Sequence, residues 1–299
     1  MNIKRLIHNQ AVRHAILRAF SWVPDRLMLP MQYYIVLHRW PDMKSPKRFT
    51  EKIQCYKAFY RNEQMLDCVD KYAVRQYVES KLGTTQYLNE LYQVCDNARE
   101  INFESLPQKF VIKTTDGGNG DNVYICHDKN EIDVEATVAL VDSWRNKKYY
   151  AVSREWAYKG AKKSQVIVEQ LLESDENADG SIDDYKFMCF NGKFRYLWVD
   201  KNRYSDHRRG FWNEKLEFLP GVRSDHPTFD VAPNLPENIT EMVALAEKLS
   251  EDFPFARVDF YNIKGKIYFG EITFYPWSGY VQYSPDEFDF ELGSNFQLL

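Results

Sequence analysis

Near the C-terminal end of the chain, in FARVDFYNIKGKIYFGEIT (residues 255–273), a cation and two carboxylates stand at spacings that can hold a charged ligand. Apolar and polar residues alternate through Ala256-Arg257-Val258-Asp259-Phe260 and again through Lys266-Ile267-Tyr268-Phe269-Gly270-Glu271-Ile272-Thr273, the period of half-buried strands. Asn262-Ile263-Lys264-Gly265 between them is a turn signal, so the two runs are expected as the arms of one antiparallel hairpin. Arg257, Asp259, Glu271 and Thr273 then share one polar stripe with the same parity on each arm. Two carboxylates on neighbouring strands beside a cation suit a Mg2+-bound nucleotide. Taken alone, the pattern also describes a solvated hairpin with cross-strand charges.

Three further segments carry candidate chemistry. Residues 109–113 read as a strand ending in Lys113, residues 114–122 (TTDGGNGDN) as a Gly-rich turn, and residues 123–126 as the returning strand. Gly117, Gly118 and Gly120 allow backbone N–H groups to approach phosphate oxygens, and Lys113 adds a point charge. The segment is neither a Walker loop nor GxGxxG. An apolar strand over residues 165–170 carries Glu169 at its end and runs into Leu171 and Leu172. Such a strand can act as an adenine hinge, though it equally describes a core strand with a polar end. Asp184 and Lys186 fall on one side of a strand that turns at Asn191-Gly192, either as a wall of a nucleotide site or as a surface hairpin.

The elements that must position these residues change character along the chain. Residues 1–100 read as mostly helical: a capping-box-like start lies at residues 45–50, and the amphipathic run 67–82 is closed by Gly83. Strand signals begin at about residue 106. A helix is expected over residues 131–148, a loop over 173–183, strands over 184–219, a Pro-rich linker over 220–236, and one helix over 237–249 before the hairpin. With 299 residues the chain should form two or three subdomains around substantial cores. A net charge of −4 argues against nucleic acid as a partner, yet its distribution is uneven. Residues 1–50 hold nine Lys/Arg against Asp25 and Asp42, and the remainder holds 30 against 41 Asp/Glu. A basic arm on an acidic protein suits an anionic surface such as lipid headgroups or an acidic glycan. Five cysteines without CxxC spacing are expected as reduced thiols in a cytoplasmic protein. Residues 1–20 lack a signal-peptide core, but Ile3, Leu6, Ile7, Ala11 and Ala15 share a helical face, open either to peripheral membrane contact or to packing on the protein itself.

The order of these pieces resembles the ATP-grasp superfamily, and within it the teichuronopeptide-biosynthesis-like (TupA-like) proteins of bacterial surface-polysaccharide pathways. The resemblance runs through FTEKIQCYK (49–57), DKYAVRQYV (70–78), LPQKFVIKTTDGGNGDNV (106–123), DYKFMCFNGK (184–193) and FGEITFYPWSGY (269–280). It implies an α+β ATP-grasp fold in which two α+β subdomains clasp ATP. A mostly helical region over 1–105 would precede a lid with the Gly-rich flap (106–173) and a catalytic subdomain with the metal site (174–299). It implies that Arg75 and Lys113 contact nucleotide phosphates, and that Glu169 with Leu171 and Leu172 forms the adenine hinge. Asp259 and Glu271 would hold Mg2+, two ions being expected, and Arg257 would stabilise an acyl phosphate. Thr273 stands where many relatives carry a metal-binding Asn.

The activity so implied is ADP-forming carboxylate–amine ligation, joining an amino acid to a uronic acid of a capsular or O-antigen-type glycan, free or lipid-linked, in the cytoplasm or at the inner face of the membrane. Trp277 and Tyr280, just beyond the metal strand, are candidates to stack on a sugar. Two other readings remain open from the sequence. One is a metal-dependent glycosyltransferase using Asp183-Asp184 or the acidic stretch 286–289. The other is a non-catalytic glycan- or membrane-binding protein on a degenerate grasp fold.

Overall fold

The computed structural model describes residue 15 and residues 17–116, 122–145, 150–159 and 164–298. Gly117, Gly118 and Gly120, and all but a few of residues 1–20, lie outside the described residues. The first hundred residues supply helices α1 (Asp25–Leu37), α2 (Phe49–Phe59), α3 (Gln64–Cys68) and α4 (Ala73–Leu82). α4 starts where the Asp70 carboxylate accepts from the N–H groups of Tyr72 and Ala73 (2.9 and 2.8 Å), and it stops at Gly83 with φ +72°.

A small antiparallel sheet follows, in order β1-β4-β2-β3, from β1 (Leu91–Cys95), β2 (Phe110–Thr114), β3 (Val123–Cys126) and β4 (Val166–Gln170). Helix α5 (Val134–Trp144) covers one face, where Phe110, Ile112, Val166 and Val168 form a compact core with Val141 and Trp144. The cross-strand pairs Val111↔Glu169 and Lys113↔Ile167 occupy the other face, so it mixes two apolar and two charged side chains. β1 comes from the stretch expected to be helical. It is a five-residue edge strand, half-buried at four positions, and no period-2 signal marks it in the sequence. Short helices α6 (Tyr150–Ser153) and α7 (Trp156–Lys159) lead into β4.

The large antiparallel sheet has the order β7-β6-β5-β8-β9, with β5 (Asp184–Phe190), β6 (Lys193–Lys201), β7 (Arg208–Trp212), β8 (Phe255–Ile263) and β9 (Lys266–Thr273). One face carries Tyr185, Phe187, Leu197, Val199, Val258 and Phe260 and packs on α8 (Ile239–Ser250) through Met242, Ala246 and Leu249. The opposite face carries charged side chains on all five strands. It carries Glu271 and Thr273, then Arg257 and Asp259, Asp184 and Lys186, Trp198 and Asp200, and finally Arg209, as the cross-strand register requires. The hairpins turn at Asn191-Gly192 (φ +50°, +71°) and Lys264-Gly265 (φ +50°, +83°), two-residue turns with left-handed backbone at both positions.

Gly270 decides the register of the charged face. The turn pairs Ile263 with Lys266, which, carried straight on, would set Asp259 opposite Gly270 and send Glu271 to the apolar face. A bulge at Gly270 shifts the ladder by one, so Asp259 faces Glu271 and Arg257 faces Thr273. The shared parity read from the sequence is therefore realised by an irregular strand. A Cβ at Gly270 would stand 3.1 Å from the Asp259 carbonyl oxygen.

The chain ends in α9 (Glu287–Asn295), which packs against α2. Asp289 there accepts from Thr50 N (3.0 Å) and Thr50 Oγ1 (2.7 Å). Gly293 lets the two helices approach: a Cβ would run into the Lys47 carbonyl and come within 2.8 Å of Phe49 N. Gly293→Ala is expected to cost about 3 kcal/mol because the obstacle is backbone. A fall of several degrees in Tm would register it; an unchanged Tm would mean that α9 can shift freely. All five cysteines are free and buried.

Candidate functional site

The charged face of the large sheet is knit by Arg257. Its Nε and Nη2 donate to the two oxygens of Asp259 (2.7 and 2.6 Å), and Nη2 also reaches Glu271 Oε1 (2.8 Å) and Thr273 Oγ1 (3.0 Å). Thr273 donates its hydroxyl to the same Glu271 oxygen (2.9 Å). From β5, Lys186 donates to Asp259 Oδ2 (2.7 Å) and to Asp184 Oδ2, which also accepts from Arg203 (3.0 Å). The guanidinium of Arg257 lies 4.7 Å over the Trp198 ring. Burial pushes the Asp259 carboxyl upward, to about 6, against the pull of Arg257 and Lys186. Desolvation works the same way on Glu271, but Arg257, Lys186 and Lys71 outweigh it and hold that carboxyl at about 2. The Glu271 side chain is 55% exposed against 3% for Asp259, so Glu271 is the more open of the two carboxylates.

The small sheet supplies a second cluster. Glu169 accepts from Lys113 Nζ (2.8 Å) and from Arg75 Nη1 (3.3 Å), and Arg75 also donates to Asn89 Oδ1 (3.1 Å) and O (2.7 Å). Arg75 and Lys113 thus share Glu169 as a partner, while Leu171 and Leu172 follow β4 half-buried. Between the clusters stands Lys71, which sequence reasoning passed over in favour of Arg75. Its backbone N–H donates to Thr115 O (3.0 Å) at the end of β2. Burial draws its ammonium pKa down while Glu271 works against that fall.

The polar floor also continues onto β6 and β7, which the sequence did not reveal. Asp200 accepts from Arg209 Nε (2.6 Å) and Nη2 (3.0 Å), from Trp198 Nε1 (3.3 Å), and contacts His207 Nε2 (3.0 Å). Arg209 outweighs burial and keeps the Asp200 carboxyl below the usual carboxylate range. Trp277 joins this end: its ring lies 4.3 Å from that of Trp198, and its Nε1 donates to Asp225 Oδ2 (3.0 Å). Trp277 and Ser278 both hold left-handed backbone (φ +49°, +58°), a strained arrangement for residues other than glycine. Gln54 fixes it by donating to the carbonyls of Ser278 (3.0 Å) and Gly279 (3.2 Å). Tyr280 points elsewhere, its hydroxyl on Gln32 Oε1 (2.9 Å) of α1 and its ring beneath Lys57 (4.7 Å) of α2.

Lys57, fully buried, donates to Ser278 Oγ (2.8 Å) and lies in the field of Glu155. Burial pulls its pKa down to about 8 and pushes that of Glu155 up. Lys57→Met is expected to destabilise the fold by about 3 kcal/mol, because it strands the Glu155 carboxylate in the interior. Lys57→Met/Glu155→Gln should recover most of that loss in a denaturant melt; no recovery would mean that the two groups are not coupled.

Among the described residues, no group of three or more His, Cys, Asp or Glu side chains is placed to hold a metal by itself. The acidic pairs that a glycosyltransferase would use are spoken for: Asp183 pairs with Lys201, Asp286 with Arg48 (2.6 Å), and Asp289 with Arg39 (3.0 Å). The facing carboxylates of Asp259 and Glu271 do fit Mg2+, which takes one or two carboxylates and completes its shell with phosphate oxygens and water. Asp184 Oδ1, next to them, is buried without a hydrogen-bond partner among the described residues.

The sequence matches a family model described as TupA-like ATPgrasp over residues 51–297. No curated protein matches the chain. Solved structures that resemble it include an L-amino acid ligase from Bacillus licheniformis (14% identity, TM-score 0.46, covering 85% of this chain and 55% of that one). Others are a D-alanine–D-alanine ligase from Bacillus anthracis (18%, 0.43, 69% and 56%) and an N5-carboxyaminoimidazole synthetase from Staphylococcus aureus complexed with ADP (12%, 0.40, 69% and 44%). The matched region spans about half the length of these proteins.

Proposed function

Because the chain belongs to the TupA-like ATP-grasp family and has its α+β fold, we propose that it is an ATP-dependent, ADP-forming carboxylate–amine ligase. The observation that carries this reading is the concentration of charge on one cleft: Arg257, Asp259, Glu271 and Lys186 on the large sheet, Lys113 on the small one, and Lys71 between. The burden of such chemistry is charge neutralisation and positioning, since a carboxylate is a poor electrophile until it is phosphorylated.

In this account the adenine lies against Val111 and Ile167 and the backbone at Leu171 and Leu172, while Lys113 and Lys71 face the phosphates. Glu169 positions Lys113, and through Arg75 it ties that cation to α4. Asp259 and Glu271 would hold Mg2+, which would supply positive charge to neutralise the phosphates. Arg257 faces the transferred phosphoryl group. A substrate carboxylate oxygen attacks the γ-phosphorus as the bond to ADP breaks; an amine then attacks the acyl carbon, loses its proton, and phosphate leaves.

The substrates we propose are an amino acid as the amine and a uronic acid of a surface glycan as the carboxylate, at the cytoplasmic face of the membrane. The basic N-terminal region supports an anionic substrate. The half-buried Trp277 ring, backed by the buried Trp198 and with its Nε1 on Asp225, has the ring-and-carboxylate make-up of a sugar subsite. Trp277→Ala is expected to raise KM for the glycan about ten-fold with little change in KM for ATP; equal effects on both would remove it from the subsite. The reading as a whole is tested by ADP release from Mg-ATP with uronic acid derivatives and pooled amino acids, together and separately. Release only when both are present supports it, and UDP-sugar turnover without ATP overturns it.

A further inference from the structure

Helix α1 is apolar on both faces. Residues 27–37, LMLPMQYYIVL, contain no charge. Met28, Leu29, Tyr33 and Leu37 pack inward. The outward face is left bare: Leu27 is 56% exposed, Met31 49% and Ile35 54%, spaced one helical turn apart. The surface extends past both ends of the helix, to Trp22 (77% exposed) and to Trp40 (63%), which stacks on Tyr34 with ring centroids 4.7 Å apart. A lone protein in water rarely leaves so many contiguous large apolar side chains open.

The charge around this surface is mostly positive; the exposed exception is Asp42, two residues beyond Trp40, whose carboxylate accepts from the backbone N–H groups of Lys44 and Ser45 (2.9 Å each). Arg18, Arg26 and Lys44 are exposed at its rim. Between Arg18 and Trp40 the one carboxylate is Asp25, and it turns inward to accept from Tyr150 OH (2.8 Å) and Arg154 Nη1 (3.0 Å). The rest of the protein is acidic, residues 51–299 holding 30 Lys/Arg against 41 Asp/Glu.

We infer that this face of α1, with Trp22 and Trp40 at its ends, rests in the headgroup layer of an anionic membrane. An apolar stripe flanked by Trp, Tyr and Arg is the make-up of an interfacial helix lying in the membrane plane. At 13 residues α1 is too short to cross a bilayer, and no described helix is long and apolar enough to do so. The exposed Arg18, Arg26 and Lys44 set the orientation by favouring anionic lipid on this side. A second copy fits the surface poorly, because a twofold contact would lay the Arg18, Arg26 and Lys44 rim against itself. The helix is tied to the body of the protein: Arg154, leading out of α6, donates to the carbonyls of Phe20 and Val23 (2.6 Å each), and Gln32 donates to that of Val152 (3.2 Å).

Flotation of the full chain with phosphatidylcholine vesicles, with and without phosphatidylglycerol, tests it. The protein should float with the anionic vesicles and be released by salt. Met31→Glu/Ile35→Glu, changed on the open face, should lower partitioning at least about ten-fold while Mg-ADP binding and the sizing-column position stay unchanged. Trp22→Ser, outside the helix, should lower it several-fold and decides the matter if the double variant fails to fold. Three results would overturn the inference: no flotation by the wild type, undiminished flotation by the variants, or a wild-type dimer that binds no lipid and that the variants dissociate.

Discussion

Asp259→Asn is expected to lower ADP formation by about a thousand-fold or more while leaving a folded protein. Asp259 is the hub of the large-sheet cluster: Arg257 and Lys186 spend three hydrogen bonds on it within 2.7 Å, and it faces Glu271 across the Gly270 bulge. Asparagine keeps the shape but removes the charge and turns one acceptor into a donor aimed at cations. Two buried positive charges then lose their counterion, and one of the two carboxylates proposed for Mg2+ disappears. Loss of a charge that is preorganised for the transition state acts on kcat more than on KM. The same change should cost about 3 kcal/mol of stability, since it breaks a buried ion pair from one side. A variant of normal kcat would show that the chemistry lies elsewhere; one that melts below the assay temperature calls for Glu271→Gln instead, whose side chain is more exposed.

Arg257→Lys should be nearly as damaging, with a fall of about a hundred-fold in kcat, although the charge is conserved. The guanidinium makes four bonds at once, to both oxygens of Asp259, to Glu271 and to Thr273, while stacking on Trp198. An ammonium on a shorter reach cannot reproduce that planar fork, and it loses the ring contact. Glu271 would then lose its direct hydrogen bond to the first of the cations that hold its pKa at about 2. The effect belongs in kcat with KM for ATP little changed; a lysine variant within three-fold of wild type would mean that Arg257 acts as a simple charge.

The hairpin with Arg257, Asp259, Glu271 and Thr273 was legible because alternation and a turn signal are local. So were the Asn191-Gly192 turn, the loop over 173–183 and the family resemblance. The Gly270 bulge was half legible: a lone glycine in a strand marks an irregularity, but only the ladder reveals that it turns Glu271 toward Asp259. β1 was missed because a short edge strand borrows its order from β4. The Asp200, Arg209 and Trp277 cluster joins residues far apart in the chain, so no local spacing announces it. Lys71 and Arg75 are one helical turn apart, and pattern alone could not say which of them looks into the cleft. For α1 the composition was visible, but not which of its two apolar faces the fold would cover.

The central claim is that a substrate carboxylate is phosphorylated on this cleft. It is tested most directly by supplying the carboxylate labelled with 18O, running the reaction with Mg-ATP and an amine, and reading the label by mass spectrometry. The account predicts one labelled oxygen in inorganic phosphate, with unlabelled ADP. Label in AMP, or ADP formation with no label transferred to phosphate, would contradict it.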